Sequence, residues 1–364
     1  MKNVLHVFSH LNNAGTEKVI YNICNNMNNN KINFNILVFD DGTNEEIFEK
    51  LNIKIFKIYE KDKKSREEKI FELLKNNKYD FVHVHVCRRM YEVIKLAKKA
   101  KVKRIILHAH NARQNLPKIV SIYKIFKEIH YIDKYVTDYL ACSTAAAKWM
   151  FPLKYKKTHI IYNGINMKKF EYQIKTRKRI RQDFGINDND YMIISVGRLS
   201  QEKNMDRIIE IAKEQNDSRI KYFIIGDGEL KSELRQKIDL YKLQNRVYLL
   251  GNINNVNELM CAADLFLLTS KYEGLGIVLI EAQTSGLYVV ASDIIPDEAD
   301  MNLGLLSLVG LKENNKQWIE AINIGLKKGK NINREKIYNL VKNTKYNEII
   351  SFDDLEKIYC EELV

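Results

Sequence analysis

Residues 265–282 read LFLLTSKYEGLGIVLIEA, and this stretch decides the fold class of the chain. Leu265–Leu268 is a short continuous apolar run of the kind that forms a buried strand. Gly274 and Gly276 follow in a polar loop, and a second apolar run, Ile277–Ile280, then opens a helix. A buried strand that leads through a glycine loop into a helix predicts one strand–helix unit of a parallel sheet.

The same alternation of short β-branched runs with helix-length segments recurs along most of the chain. It predicts an α/β protein whose parallel sheets are covered by helices on both faces. In the first half the predicted strands are Val4–Phe8, Phe34–Phe39, Phe81–His85, Arg104–Leu107 and His159–Tyr162. In the second half they are Tyr191–Val196, Tyr222–Ile225, Val247–Leu250, Leu265–Leu268 and Tyr288–Ala291. The clearest predicted helices are Lys18–Asn28, Arg66–Asn76 and Phe352–Leu363.

The length of 364 residues predicts two domains, since one domain takes up roughly 150 residues. We place the first at 1–166, a basic linker and entry to the second domain at 167–190, the second domain at 191–350 and a terminal helix at 351–364. Two open α/β domains in sequence usually leave a cleft, and ligands of such sheets bind beyond the carboxyl ends of the strands. The loops that follow strands are therefore the places to look for chemistry.

Charge is distributed unevenly along the chain. Residues 1–170 carry 32 Lys and Arg against 16 Asp and Glu, whereas residues 171–364 carry 27 against 30. A basic half suggests an anionic partner such as a membrane surface, a nucleic acid or a phosphorylated substrate. A general bias of the composition toward Lys explains the same numbers equally well, so both interpretations stay open.

Several classes of protein are disfavoured by what the sequence lacks. The apolar stretch at the N-terminus stops at Phe8, too short for a secretory signal, and no window of 18 apolar residues predicts a spanning helix. The five cysteines are scattered, which is typical of a reducing compartment, so we expect a soluble cytoplasmic protein. No phosphate-binding P-loop or aromatic RNA-binding strand is present, and we expect no nucleic acid partner.

Two loops in the second half carry candidate ligand-binding groups. Arg198 and Lys203 lie five residues apart after the strand Tyr191–Val196, and both cations could converge on a diphosphate. In the loop after Leu265–Leu268, the free N–H groups of Gly274, Leu275, Gly276 and Ile277 would form an anion site at a helix start.

Two carboxylates accompany that anion site. Glu281 follows an apolar run, where a carboxylate is costly unless it is hydrogen-bonded, and a ribose diol would suit it. Glu273, at the end of the loop, could accept hydroxyl groups of a sugar.

Further motifs carry weaker signals. Gly15 precedes a predicted helix and could let an anion approach the backbone, whereas the turn Gly226-Asp227-Gly228 is interpreted as structural. The pairs His83 with His85 and His108 with His110 could each bind a metal, because residues i and i+2 share a strand face. No carboxylates are clearly placed beside them, so we favour packed strand histidines, with His110 projecting into the cleft as a donor. The segment Asp188-Asn189-Asp190 is interpreted as a turn.

Taken together, these motifs resemble those of the retaining glycosyltransferases of family 4 (group 1), which have the GT-B fold. The resemblance rests on Glu273 to Glu281 with its two glycines, on Val196-Gly197-Arg198-Leu199 with Lys203, on Gly226–Leu230 and on Ile161–Asn166. The motifs occur in the order of the family and span nearly the whole chain.

The resemblance implies two Rossmann-like domains that face each other across a cleft, with a C-terminal helix crossing back to the first domain. It assigns the diphosphate of a nucleotide-sugar donor, UDP- or GDP-linked, to Arg198 and Lys203. The ribose is assigned to Glu281 and the transferring sugar to Glu273, with Gly15 as a further donor contact and His110 as a catalytic residue. No metal and no cofactor are expected, and front-side attack by the acceptor is the working hypothesis for retention of stereochemistry.

The acceptor is expected on the first domain, as a saccharide or a lipid-linked saccharide used in bacterial surface polysaccharide synthesis. Anionic lipids attract surface lysines, so the enzyme could dock at the inner face of the cytoplasmic membrane without an anchor. Lys61–Lys69 and Ile122–Tyr131 are the candidate contacts, although an ordinary amphipathic core helix is the favoured interpretation of the second segment. A nucleotide-sugar epimerase or hydrolase of the same fold, and a basic protein that only binds nucleotide sugars, are the alternative functions.

Overall fold

The computed structural model describes residues 1–11, 15–27, 31–43, 45–86, 89–110, 130–132 and 134–360, and within these the side chains of 15–18 are left out. The chain divides into two compact units. The first comprises Met1–Gly164 together with Glu348–Val364, and the second comprises Ile165–Asn347. The C-terminal segment therefore belongs to the unit that the N-terminus builds.

The first unit contains a seven-stranded parallel sheet with the order β3-β2-β1-β4-β5-β6-β7. Its three central strands are almost completely buried, as strands covered on both faces must be. The strands are β1 Lys2–Val7, β2 Ile32–Val38, β3 Lys54–Lys57, β4 Phe81–His85, β5 Arg104–Ala109, β6 Asp138–Ala141 and β7 His159–Ile160.

Two helices of the first unit start at side-chain caps. The Asp62 side chain accepts a hydrogen bond from the Ser65 amide, and the Ser143 side chain accepts one from the Ala146 amide. The described helices before the second unit are α1 Gly15–Met27, α2 Glu45–Glu49, α3 Lys63–Asn77, α4 Met90–Lys99 and α5 Thr144–Met150.

The second unit contains a six-stranded parallel sheet with the order β10-β9-β8-β11-β12-β13. A core of Ile, Leu, Val and aromatic side chains lies between this sheet and its helices. The strands are β8 Tyr191–Val196, β9 Ile220–Ile225, β10 Val247–Gly251, β11 Leu265–Leu268, β12 Tyr288–Ser292 and β13 Leu306–Val309. The helices are α6 Ile174–Asp183, α7 Met205–Glu214, α8 Lys231–Leu240, α9 Val256–Ala262, α10 Ile277–Thr284, α11 Asn315–Gly329 and α12 Arg334–Val341.

The basic segment 167–190, expected as a linker, lies inside the second unit and contains α6. Two of its arginines are held by one carboxylate, since Arg177 and Arg181 both pair with Asp264, the latter at 2.9 Å. Asp264 also accepts a hydrogen bond from the Met192 amide at 2.7 Å. The positive charge of this segment thus serves to anchor α6 to the sheet.

The last helix, α13 Glu348–Tyr359, belongs to the first unit and packs on α1. Leu355, Ile358 and Tyr359 are buried, and the Tyr359 ring lies 5.3 Å from the Phe81 ring in an edge arrangement. Because this helix brings acidic residues with it, the first unit carries 31 Lys and Arg against 22 Asp and Glu. The second unit carries 28 against 24, so the contrast between the units is weaker than the contrast between the sequence halves.

The alternation of strands and helices predicted from the sequence is confirmed, and the fold class of two Rossmann-like parallel-sheet domains with it. The strands that the pattern missed, β3, β6 and β13, are short and only partly buried, so they lack a continuous apolar run. In the part of the chain that the structure describes, no helix has the length and apolar character needed to span a bilayer.

Candidate functional site

The loop after β8 is closed by hydrogen bonds to the loop after β11. Asn204 adopts a left-handed backbone with φ of 53° immediately before α7, and its side-chain amide donates to the Thr269 carbonyl at 3.1 Å. The Thr269 hydroxyl donates in return to the Asn204 carbonyl at 2.9 Å, and the Lys271 amide bonds to the Glu202 carbonyl at 2.7 Å. These bonds hold the two loops side by side at the carboxyl edge of the sheet.

Lys203 and Glu273 meet between these loops. Lys203 Nζ lies 2.6 Å from Glu273 Oε1, and the same oxygen accepts a hydrogen bond from the Ser270 hydroxyl at 2.7 Å. The Glu273 side chain is 7% exposed and that of Lys203 is 25% exposed. Ser270 is itself fixed, because its carbonyl accepts the Ser292 hydroxyl at 2.6 Å. The carboxylate therefore has a defined position, and the ammonium keeps access to solvent.

The turn Gly226–Gly228, which the sequence analysis interprets as structural, packs against the backbone of the Arg198 loop. Gly226 has φ of 137°, and a Cβ built there would stand 2.0 Å from the Gly197 carbonyl oxygen. A Cβ on Gly228 would stand 2.5 Å from the Leu199 carbonyl oxygen. Only glycine permits this approach of two backbones, which the Leu199 amide fixes by donating to the Asp227 carbonyl at 3.0 Å.

Four further predicted residues lie in the same unit. Arg198 is exposed, and its guanidinium contacts no carboxylate among the described residues. Glu281 is half-buried in the second turn of α10. Gly276 precedes α10 with φ of 73°, and Leu275 is buried beside it. The helix begins directly after Gly276, and the first N–H groups of a helix generally have no partner within it.

These groups, which we call the cradle, are of the types that can bind an anion. Arg198 and Lys203 supply two positive charges on one loop, and the positive end of α10 lies on the neighbouring loop. Glu273 offers acceptors for hydroxyl groups beside the ammonium. Such an arrangement can stabilise negative charge that develops on a phosphate leaving group.

The predicted histidines of the first unit form a buried layer. His85 Nδ1 lies 2.8 Å from His110 Nε2, and His85 Nε2 lies 2.9 Å from His6 Nδ1. His83 Nε2 lies 3.2 Å from His108 Nδ1. The interpretation of His83 and His85 as packed strand residues agrees with this geometry. His110 is 7% exposed, with its Nε2 paired with His85 and its Nδ1 buried. Its role as a donor in the cleft stays a prediction.

Burial governs the protonation of this layer. It lowers the pKa of His6 to about 3, with the charge of His110 as a smaller cause, and it lowers the pKa of His110 to about 4. Burial likewise lowers the pKa of His83, His85 and His108. The imidazoles are therefore neutral near pH 7. By distance, two sets of three could surround a metal ion: His6, His83 and His85, and His85, His108 and His110.

Some of the predicted segments lie next to or partly outside the residues that the structure describes. Gly15 is the first residue of α1, and the preceding residues 12–14 lie outside the described part of the chain. The segment 188–190 is a turn, in which Asp190 accepts hydrogen bonds from the Asn187 amide and from Lys221, both at 3.0 Å. Most of Ile122–Tyr131 lies outside the described residues.

The other predicted membrane contact, Lys61–Lys69, contains cations that are already paired. Lys63 pairs with Glu67 at 3.7 Å, and Arg66 pairs with Glu92 at 2.9 Å. Lys69 pairs with Glu60. These carboxylates offset much of the positive charge that the segment shows in the sequence.

Sequence reasoning missed the residues that fix the site. Asn204, Thr269, Ser270 and Ser292 orient the two loops or the Glu273 carboxylate through hydrogen bonds. Small polar residues directly after predicted strands are the signal that could have found three of them. His6 is the other omission, since an isolated histidine in an apolar strand gives no pattern.

Comparison with known proteins agrees with this geometry. The family model described as Glycosyl transferases group 1 matches residues 176–343, and the model described as Glycosyltransferase Family 4 matches residues 14–169. The first match covers the cradle in the second unit, and the second match covers the histidine layer of the first unit except His6.

Two relatives and one solved structure illustrate the similarity. The chain is 27% identical to EpsF of Bacillus subtilis, named as a glycosyltransferase, over 88% of this chain and 87% of the relative. It is 28% identical to the UDP-Gal:alpha-D-GlcNAc-diphosphoundecaprenol alpha-1,3-galactosyltransferase of Escherichia coli, over 62% of this chain and 60% of the relative. The crystal structure of Anabaena HepE in complex with UDP superposes with a TM-score of 0.83 at 19% identity and covers all of both chains.

The family models, the relatives and the two parallel-sheet units with the glycine loop and its carboxylates lead to the same assignment. The chain belongs to the glycosyltransferases of family 4 (group 1) and is an enzyme with the GT-B fold of two Rossmann-like domains.

Proposed function

We propose that this enzyme is a metal-independent, retaining glycosyltransferase that moves a sugar from a nucleoside-diphosphate donor to a saccharide or a lipid-linked saccharide in bacterial surface polysaccharide synthesis. The observation that carries the proposal is the 2.6 Å pair of Lys203 with Glu273, set beside the start of α10. In this proposal the ammonium of Lys203 binds the diphosphate, and the carboxylate of Glu273, one hydrogen bond away, accepts the sugar hydroxyls.

The donor is proposed to be a uridine diphosphate sugar. HepE, which has the same fold, was crystallised with UDP, and the galactosyltransferase relative is named for a UDP-linked donor. In this chain Arg198 and Lys203 would bind the diphosphate, and Glu281 would accept the two ribose hydroxyls. Glu273 would hold the transferring sugar, with amides of 274–277 assisting.

The acceptor is proposed to be lipid-linked, because the name of the same relative gives a diphosphoundecaprenol acceptor. We propose that the first unit binds it, and that this unit contributes His110 and Gly15. A net charge of +9 on that unit favours a diphosphate-bearing lipid and an anionic membrane surface over neutral partners.

The chemistry can proceed without an enzyme nucleophile. The bond between the anomeric carbon and the donor phosphate oxygen breaks as the acceptor oxygen approaches the same face of the sugar. The acceptor proton passes to the departing phosphate oxygen, and the new glycosidic bond retains the configuration. Arg198, Lys203 and the first amides of α10 would stabilise the charge that grows on the diphosphate, the role that a metal ion fills in other enzymes.

Donor binding is the first test. Thermal-shift and calorimetric titrations with UDP-, GDP-, ADP- and TDP-sugars would be run on the wild type, Arg198→Ala and Glu281→Ala, with and without EDTA. We expect one UDP-sugar to bind saturably, with weaker binding in both variants and no effect of EDTA. Loss of binding in EDTA would contradict metal independence, and preference for another nucleotide would contradict the uridine assignment.

Turnover distinguishes the alternative functions. Release of UDP that requires a saccharide–diphospholipid acceptor is expected for a transferase. UDP release or sugar epimerisation without acceptor would instead indicate a hydrolase or epimerase, and binding with no turnover of any kind would indicate a binding protein. Trapping a covalent glycosyl-enzyme intermediate would refute front-side attack.

Membrane docking is tested separately with vesicles that contain anionic lipid. Sedimentation of the enzyme with these vesicles should weaken strongly as salt is raised, because exposed charges more than about 10 Å apart are screened at 0.1 M salt. Binding that does not depend on salt, or binding to neutral vesicles alone, would refute an electrostatic contact.

A further inference from the structure

Residues 148–157 of the first unit, which we call the Leu153 segment, read KWMFPLKYKK and lead from the end of α5 toward β7. The chain has no Asp or Glu anywhere between Asp138 and Glu171. Within the described part of the chain, no carboxylate pairs with any of the four lysines of this segment, Lys148, Lys154, Lys156 and Lys157. Their charge is therefore not offset, unlike that of Lys61–Lys69, where three cations pair with glutamates.

The Leu153 segment also presents apolar and aromatic side chains to solvent. Leu153 is 75% exposed, and Pro152 beside it is exposed as well. Trp149 and Tyr155 are partly exposed, and Lys148 Nζ lies 5.8 Å from the centre of the Tyr155 ring. An exposed leucine among Trp, Tyr and Lys side chains is the composition found where proteins meet the interface between lipid and water.

The backbone holds Leu153 in this outward position. Phe151 is buried and packs edge-on against Tyr139 of β6, with ring centroids 5.2 Å apart. The Lys154 amide donates to the Phe151 carbonyl at 2.9 Å, and the Lys157 amide donates to the Lys154 carbonyl at 2.8 Å. The exposure of Leu153 thus belongs to an ordered turn that is anchored to the sheet.

Leu240 and Ile349 are about as exposed as Leu153 but have acidic neighbours. Leu240 is 74% exposed and follows Asp239, and Ile349 is 70% exposed and follows Glu348. Carboxylates disfavour contact with an anionic surface, whereas the lysines around Leu153 favour it. Charge therefore distinguishes the Leu153 segment from the other two sites and indicates the sign of its partner.

The strand register places the Leu153 segment close to the proposed acceptor site. His159, at the start of β7, is in register with Leu140 of β6, which is in register with His108 of β5. At about 4.8 Å between neighbouring strands, His159 stands about 10 Å to the side of His108. His110 follows two residues later, about 7 Å at the rise of an extended chain. A lipid head group beside the segment is therefore near the carboxyl edge of this sheet.

We propose that the Leu153 segment docks the enzyme on an anionic lipid bilayer, with Leu153 inserted between the lipids and Lys154, Lys156 and Lys157 against their head groups. The use of this contact in turnover rests on the proposed function, in which the acceptor is lipid-linked. The docking itself does not depend on sugar transfer and is measured without it.

Trp149 provides an intrinsic probe of this contact, because the second of the two tryptophans, Trp318, is fully buried in the core of the second unit. The enzyme is mixed with vesicles of phosphatidylglycerol and phosphatidylcholine, with and without brominated acyl chains that quench indole fluorescence on contact. We expect quenching in the wild type and none in Trp149→Phe. Binding without quenching of Trp149, equal binding to pure phosphatidylcholine, or no binding to anionic vesicles would overturn the proposal.

Two double substitutions of exposed lysines change the net charge equally. Lys156→Glu with Lys157→Glu alters the Leu153 segment, and Lys63→Glu with Lys64→Glu at the start of α3 is the control. Each cation at an anionic surface strengthens binding roughly 5-fold, so the first pair should weaken vesicle binding at least about 25-fold and the control less than about 3-fold. Equal losses would show a response to net charge alone and overturn the assignment.

Leu153→Ser tests the apolar part of the contact, with Leu240→Ser as its control. Insertion of a leucine does not depend on ionic strength, so Leu153→Ser should weaken vesicle binding roughly 10-fold at low and at high salt. Leu240→Ser should bind vesicles as the wild type does. Wild-type binding by Leu153→Ser would rule out insertion and overturn the proposal.

Turnover separates this inference from the proposed function. The variant with Lys156→Glu and Lys157→Glu should show a KM raised about 25-fold for a saccharide diphospholipid in vesicles, with unchanged kcat/KM for a short-chain, water-soluble analogue. Equal losses on the two acceptors would indicate damage to the acceptor site and overturn the docking role. An enzyme that transfers no sugar to either acceptor would refute the proposed function, while the vesicle measurements would still decide this inference.

Discussion

Replacing Glu273 with glutamine should have opposite effects on nucleotide binding and on sugar transfer. In the unliganded structure Lys203 is bound to Glu273 at 2.6 Å, so a diphosphate must compete with this carboxylate for the ammonium. Glutamine keeps the shape and the acceptor for Ser270 but removes the charge. Lys203 is then free to bind phosphate without first giving up an ion pair.

The size of the effect follows from the burial of the pair. Hydrogen bonds to charged groups contribute about 1.5–3 kcal/mol, and the lower value applies because Lys203 is 25% exposed and can rehydrate. A gain of about 1.5 kcal/mol corresponds to roughly 10-fold tighter binding of UDP. Transfer should fall roughly 100-fold, as when one group aimed at the transition state is lost.

Isothermal calorimetry with UDP and a coupled assay of UDP release measure the two quantities. Glu281→Gln is the matched control, because it also removes one carboxylate but should weaken UDP binding through the ribose. Unchanged or weaker binding of UDP by Glu273→Gln would refute the competition and remove Lys203 as the diphosphate ligand.

Three further predictions follow from individual contacts. Ser270→Ala removes one of the two hydrogen bonds to Glu273, so kcat should fall about 3- to 10-fold while the melting temperature changes little. A kcat equal to that of the wild type would show that Ser270 does not position the carboxylate. Gly226→Ala places a methyl group 2.0 Å from the Gly197 carbonyl oxygen at a φ of 137°. We therefore expect denaturation to show a loss of stability of at least about 2 kcal/mol, and calorimetry to show weaker donor binding. Wild-type stability of this variant would contradict the close approach. Burial lowers the pKa of His6 to about 3 from 6.5, so between these pH values the unfolded chain binds a proton that the folded chain does not, and stability should fall as the pH drops from 6.5 toward 3. His6→Phe should show a shallower fall of melting temperature over that range. An unchanged slope would argue against a neutral buried His6.

The sequence predicted most of the second unit because its signals are local. The run Leu265–Leu268, the glycines at 274 and 276 and the apolar start of α10 lie within about one strand–helix unit, and each reports the burial or backbone freedom of its own residues. The same holds for Gly226, whose role as a structural turn residue was predicted correctly. Short, partly buried strands such as β13 give no such signal, because their burial depends on neighbours that are distant in the chain.

Segment 167–190 shows a limit of charge patterns. A run of Lys and Arg between two predicted domains is typical of an exposed linker, yet α6 is fixed by pairing of Arg177 and Arg181 with Asp264. The carboxylate lies more than 80 residues away along the chain, so nothing near the arginines indicates it. The charge of the terminal helix is a similar case, because its acidic residues offset the basic first unit only after the chain returns.

The sequence by itself determined the alternation of strands and helices, the glycine loops and the types of residue that stand at the strand ends, because hydrophobic period and backbone freedom are properties of neighbouring residues. Tertiary structure alone decided which of these residues meet. Lys203 and Glu273 are 70 positions apart, His6 and His85 are 79 apart, and His83 and Tyr359 are 276 apart. Parallel strand order brings such residues to one edge or face of a sheet, and burial there sets their hydrogen bonds and protonation.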